Sequence, residues 1–266
     1  MRLSVDFAAD RSGTAELAWG QRDIWEAIQK VGPDSAHYFN VPRLLAVPGA
    51  GGPRSPRAVA AALAQVMGRH DALRSLVRLG AEGPYQEVAA AGTLPIETVE
   101  VARDAADGAA ADLVARLAGR SFGDGEQPLR AGLVVCDGAA THVALVLNHV
   151  VADWHAADVV VRDLRMLLLR GAIAGPPPSQ LLDLVRDESM ASARSDRAIA
   201  QWETLLRTPC RPPCSRKRPE RARRRDTRGP CCRRPGSTAP ARCWPAAPAS
   251  APPPSCSWRS PCCCAS

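Results

Sequence analysis

The stretch LVLNHVVADWHAADVVVRDL, residues 145–164, decides how the chain is read. An apolar run ends at Asn148-His149, Asp153 follows four residues after the histidine, and a helical pattern then begins. THVALVLN (141–148) reads as a strand. Residues 155–170 read as an apolar helix through Ala156, Val159, Val160, Leu164, Leu167 and Leu168. The histidine therefore stands where a strand stops. A structural reading has His149 satisfied by its neighbours and Asp153 capping the next helix. A functional reading uses an imidazole, which titrates near neutrality, to take a proton from an attacking amine or hydroxyl. Asp153 would then fix the loop through a buried ion pair with an arginine. The spacing alone does not choose between them, and it does not make a triad.

Working outward, LRAGLVVC (129–136) precedes that strand across Asp137-Gly138-Ala139-Ala140, a hairpin signal because glycine accepts positive φ. Residues 95–101 alternate as a strand, and 108–121 form a helix with Leu113, Val114 and Leu117 inward. Two strands, 73–79 and 84–90, flank Gly80 and Gly83 as a second hairpin. Ser55-Pro56 opens a helix, serine as cap and proline in the first turn, with Val59, Leu63, Val66 and Met67 on one stripe. Residues 43–48 read as a short strand and 16–29 as a helix. Pro176-Pro177-Pro178 interrupts the chain before a final helical stretch, 179–206.

The net charge of +7 divides unevenly: residues 1–206 carry −5 and residues 207–266 carry +12. Cysteine divides the same way, with Cys136 alone in the body and nine others between Cys210 and Cys264. A body with one cysteine has no disulfide framework and fits a reducing compartment. The start, MRLSVDFAADRSG, has no apolar core of signal-peptide length, and no run of about eighteen apolar residues occurs. A cytoplasmic protein with no membrane partner is expected.

Residues 209–266 contain no Leu, Ile, Val, Met, Phe or Tyr. Such a segment buries too little apolar surface to offset backbone ordering of about 1–2 kcal/mol per residue, so disorder is expected over 207–266. Its cysteines lack the paired spacing of a zinc site. RKRPERARRR (216–225) is either a solvated charge run or a phosphate-binding patch without interleaved aromatics, and nucleic acid is not the expected partner. PxxP-type spacings are expected by chance in so much proline. A shifted reading frame accounts for more. SWRSPCCCAS (257–266), written in GC-rich codons and read two nucleotides later, gives Leu-Ala-Val-Ala-Leu-Leu-Leu-Arg-Gln. That shift explains the cysteine excess, the missing aliphatics and the abrupt boundary together.

With four motifs in order, the chain resembles the condensation domains of nonribosomal peptide synthetases, in the chloramphenicol acetyltransferase superfamily. The signature H-H-x-x-x-D-G stands here as Asn148-His149-Val150-Val151-Ala152-Asp153-Trp154. R-H-E-x-L-R-T is similar to Arg69-His70-Asp71-Ala72-Leu73-Arg74-Ser75, and S-x-A-Q-x-x-x-W to Ala18-Trp19-Gly20-Gln21-Arg22-Asp23-Ile24-Trp25. Pro128-Leu129-Arg130-Ala131 matches P-L-R-A.

The resemblance covers residues 13–206 and implies the N-terminal α/β subdomain of the condensation domain. The second subdomain and the tunnel between the two would lie outside it, so the chain is expected to be inactive as it stands and to expose an apolar face. The resemblance implies amide-bond formation between a carrier-bound thioester and an acceptor amine. His149 takes the catalytic position. Asp153 is structural, paired with Arg69 or Arg74, and His70 bonds locally. Asn148 replaces the first histidine and cannot take a charge. Trp154 replaces a glycine, so its indole either narrows the tunnel or points into the hydrophobic layer. No cofactor is bound directly; a carrier protein's phosphopantetheine is the substrate arm. The partners are carrier proteins and other synthetase modules. The alternatives are a coenzyme A-dependent or ester-forming acyltransferase of the same superfamily, a non-catalytic carrier-binding module, and a nucleic-acid binder acting through the tail.

Overall fold

The computed structural model describes residues 2–49, 52–176, 178–190 and 192–207. The expected disordered tail, its cysteines and the frame-shifted segment lie outside the described residues. Five strands form the main sheet: β1 (Arg2–Ala8), β3 (Asn40–Ala46), β6 (Ala91–Glu100), β7 (Leu129–Cys136) and β8 (Ala139–Asn148). Their order is β1-β6-β7-β8-β3, antiparallel except for the parallel pair β6–β7. A smaller antiparallel sheet orders β2 (Gly13–Glu16), β5 (Gly83–Val88) and β4 (Ser75–Gly80) as β2-β5-β4.

Every residue of β7 is buried, because β7 lies inside the sheet and helices cover both of its faces. Leu129, Ala131, Leu133 and Val135 point toward α2 (Pro56–Arg69) and α4 (Trp154–Arg170), joined by Val143, Leu145 and Leu147 of β8. Val134, Cys136, Ala144 and Val146 face α3 (Ala106–Ala118). Gly132 sets the approach of α3: a Cβ there would lie 2.8 Å from a methyl of Leu113.

The β7–β8 hairpin is tighter than the sequence suggests. Cys136 pairs with Ala139, leaving Asp137 (φ 51°) and Gly138 (φ 75°) as a two-residue turn of the kind that matches strand twist. The sequence reading missed β1 and β2, although Leu3, Val5 and Phe7 alternate along β1. The remaining helices are α1 (Trp19–Val31), α5 (Leu181–Met190) and α6 (Ser192–Arg207). The Ser55 cap is as expected, its side chain accepting from the Ala58 amide at 3.2 Å. No helix among the described residues is long and apolar enough to cross a membrane.

Gly132→Val should force α3 off the sheet through Leu113 and destabilise the fold by about 1–3 kcal/mol. Urea denaturation monitored by circular dichroism measures this; an unchanged midpoint contradicts the packing described.

Candidate active site

The loop that carries His149 is built by Asn148. Its backbone N–H donates to Pro128 O at 2.9 Å, and its carbonyl accepts from Val151 and Ala152 at 3.0 and 3.3 Å. Its side-chain Oδ1 accepts from the Val150 amide at 3.0 Å. Asparagine thus closes a tight turn with its own side chain, for which an amide oxygen is well suited. Val150, Val151 and Ala152 are buried beneath the turn. His149 is the first residue beyond β8, and its Nδ1 is buried with no hydrogen-bond partner among the described residues. A buried ring nitrogen without a partner is a hydrogen-bonding demand that the described residues leave unmet. A small cavity of about 120 Å³ opens beside Asn148, walled by Trp25, Ser75, Phe122 and Val150, and His149 is not among its walls.

Asp153 does not pair with Arg69 or Arg74. It is exposed and caps α4, its Oδ1 accepting from the Ala156 amide at 2.7 Å. Trp154, the first residue of α4, does not enter the hydrophobic layer. It is 59% exposed, and the Arg43 guanidinium lies 4.4 Å from its ring centroid. Arg43 also donates to Trp154 O at 2.6 Å and to Asp158 Oδ1 at 2.7 Å, fixing the start of α4 to β3.

Arg69 serves a different carboxylate, Asp163, which is 1% exposed. It accepts from Arg69 Nε at 3.2 Å, His70 Nε2 at 3.0 Å and Arg162 Nη2 at 2.9 Å. Burial pushes the Asp163 carboxyl up, but the bonds from Arg162 and His70 outweigh it and hold the group below the usual carboxylate range. Burial lowers the His70 imidazole despite the opposing pull of Asp163, to which its Nε2–H donates. Arg69 also reaches Gly175 O and Pro176 O, at 3.2 and 2.5 Å. Arg74, wholly buried, donates to Asp71 at 2.7 Å, to Met67 O at 2.8 Å and to Ala89 O. Gln180 joins the group, bonding the Asp71 amide and Arg69 O.

Two further networks steady the surroundings. Gln21 of the third motif accepts from Ala18 N at 3.0 Å and from Gln86 Nε2 at 3.1 Å, and Ser75 Oγ donates to Gln86 at 3.1 Å. Arg130 is buried under the ring of Phe122 and donates to Glu126 at 2.6 and 2.9 Å and to three carbonyls of residues 117–121. Burial pushes Glu126 up, yet its bonds from Arg130, the Gly123 amide and Arg120 bring it down to about 2. Sequence reasoning passed over Asp163, Glu126, Gln86 and Arg43. Asp163 was findable, since it falls on the inward stripe with Val160, Leu164 and Leu167. Glu126 stands four residues before Arg130. Among the described residues no cluster of His, Cys, Asp and Glu could hold a metal ion.

No family model matches the chain. It is 32% identical over 216 residues to the AMB antimetabolite synthetase AmbB of Pseudomonas aeruginosa, covering 79% of this chain and 17% of that protein. It is 29% identical over 204 residues to the probable non-canonical nonribosomal peptide synthetase CymA of Salinispora arenicola, covering 71% of this chain and 2% of that protein. The chain thus spans a small part of the curated relatives it matches. The starter condensation domain of rhizomide synthetase RzmA superposes with a TM-score of 0.62 at 19% identity, over 76% of this chain and 50% of that one. A structure from work on condensation domain-mediated chain release in the enacyloxin polyketide synthase gives 0.61 at 24%, over 76% and 40%. These likenesses define a mixed α/β subdomain rather than a whole domain. In fold, the described part of the chain is similar to about half of a condensation domain.

Removing Asp163 leaves three cationic or polar partners uncompensated, so Asp163→Ala should cost about 3–5 kcal/mol. Asp153→Ala removes one cap and should cost about 1 kcal/mol. Denaturant unfolding of both variants checks the ranking; equal losses would refute it. Glu126 is depressed in the folded state, so its contribution is full above the usual carboxylate range near 4.5 and is lost as pH falls toward about 2. Thermal melting from pH 6 to pH 3 should fall less steeply in Glu126→Gln than in the parent.

Proposed function

We propose that this subdomain is the His149-bearing half of a condensation-type acyltransferase. The substrate would be an acyl group held as a thioester on a carrier protein's phosphopantetheine, and the acceptor an amine. The amine nitrogen attacks the thioester carbonyl, the C–N bond forms and the C–S bond breaks. The nitrogen's proton passes to the His149 imidazole or to the departing thiolate, so that amide and thiol are the products. The observation that carries this reading is the place of His149, directly beyond β8 on a turn that Asn148 closes with its own side chain. Asn148 acts through the turn, and Asp153 through the cap on α4. His149 either accepts the proton or stabilises charge at the reacting carbonyl.

On this reading residues 13–206 are one of two facing subdomains, and without the other the transferase activity is expected to be low. The apolar side chains Ile199, Trp202, Leu205 and Leu206 on α6 are exposed, and association or poor solubility is expected when the chain is expressed alone. Sequencing the gene through and beyond residues 200–266 tests for a continuing frame that encodes the second half. With both halves present, mass spectrometry should detect an amide formed from acyl and aminoacyl carrier proteins. His149→Ala should reduce that product by about 10²–10⁴-fold. Equal product from acyl-coenzyme A would favour the coenzyme A reading. Retained carrier binding with no turnover in either protein would favour a docking module.

A further inference from the structure

We propose that a cavity of about 340 Å³ at the hairpin end of β7 and β8 binds a free amino acid with an apolar side chain, held by both of its charges. The proposal does not depend on the transferase reading. His149 follows the opposite end of β8, about 30 Å away for a strand that rises about 3.3 Å per residue. The space forms where the sheet outruns its cover. Side chains along a strand alternate, so Leu94, Ile96, Thr98 and Glu100 of β6 share one face. Leu94 and Ile96 are buried in the core with residues of α2, Thr98 is half-buried and Glu100 is exposed. α2 begins only at Pro56, which with Leu3 and Val135 makes an apolar wall.

Two opposite charges line this hollow from different elements: Arg57 in the first turn of α2 and Glu100 at the end of β6. Both side chains are exposed, and neither forms an ion pair or a side-chain hydrogen bond with another described residue. They stand too far apart to pair with each other. The neighbouring charges do not answer them. Arg103 and Asp137 pair together at 3.7 Å, and the first turn of α2 holds no acidic residue. Arg54, before the cap of α2, makes no ion pair among the described residues, and its Nε is buried. A simple anion would meet Arg57 but confront Glu100, and a simple cation would do the reverse. A zwitterion satisfies both, its carboxylate accepting from the guanidinium and its ammonium donating to Glu100. The apolar wall receives the side chain. The volume lies at the low end of small-ligand sites, about 300–1,000 Å³, which suits a single amino acid.

Calorimetric titration of the full chain with leucine and its two single-charge analogues tests this: 3-methylbutylamine lacks the carboxylate, and 4-methylpentanoate lacks the ammonium. Leucine should bind saturably and about fivefold more tightly than either analogue, the worth of one further exposed ion pair. Arg57→Gln should weaken leucine and 4-methylpentanoate but not the amine. Glu100→Gln should weaken leucine and the amine but not 4-methylpentanoate. Both positions are exposed, so both variants should fold, which circular dichroism and melting temperature establish; the parent's preference among the three probes needs no variant. Absence of saturable leucine binding, an analogue binding as tightly as leucine, or a substitution that weakens both analogues alike would overturn the proposal.

Discussion

One buried carboxylate ties the two helices on the inner face of the sheet. Asp163 on α4 takes bonds from Arg69 and His70 at the end of α2 and from its own neighbour Arg162. An ionised group at 1% exposure survives only because its oxygens are bonded on both sides. The geometry is therefore demanding: α2 must end where it does, and α4 must present Asp163 at that height. Arg69 and Gln180 then extend the same clamp to residues 175–180. A hydrophobic contact would tolerate sliding between the helices. A bonded carboxylate does not.

The central strands transmit that order to the candidate site. β7 is buried throughout and β8 from Val143 to Leu147, so the end of β8 leaves a fixed base. Asn148 converts that point into a turn using its own amide, and His149 is carried on it. Arg130, two residues beyond Pro128, pins the approach to β7 from the other side by tying Glu126 and the carbonyls after α3. The histidine's position rests on these neighbours more than on Asp153, which acts locally as a cap. β6 and β7, by contrast, separate at the start of β7, where the larger cavity forms.

Much of the fold was legible in the sequence because its hydrophobic periods are strong. The alternation of THVALVLN, the stripe of residues 59–67 and the Asp-Gly turn each specify local structure without help from distant residues. β1 and β2 escaped notice because short edge strands carry little pattern, and their partners are far away in sequence: β1 pairs with residues 91–97. The candidate site was legible in its residues but not in its pairings. His149, Asn148 and Asp153 could be named. That Asp153 would cap while Asp163 received the arginine could not, because both aspartates lie at plausible spacings from the arginines and only their orientation separates them.

The sequence by itself determined most of the elements, their order and the strand end bearing His149, since these depend on residues within a few positions of one another. Tertiary structure decided which carboxylate neutralises Arg69, where Trp154 meets Arg43, and that β6 and β7 part to leave a cavity. Those outcomes depend on how strands and helices are placed across separations of dozens of residues. There, burial and hydrogen-bond satisfaction choose one partner among several that the sequence offers equally.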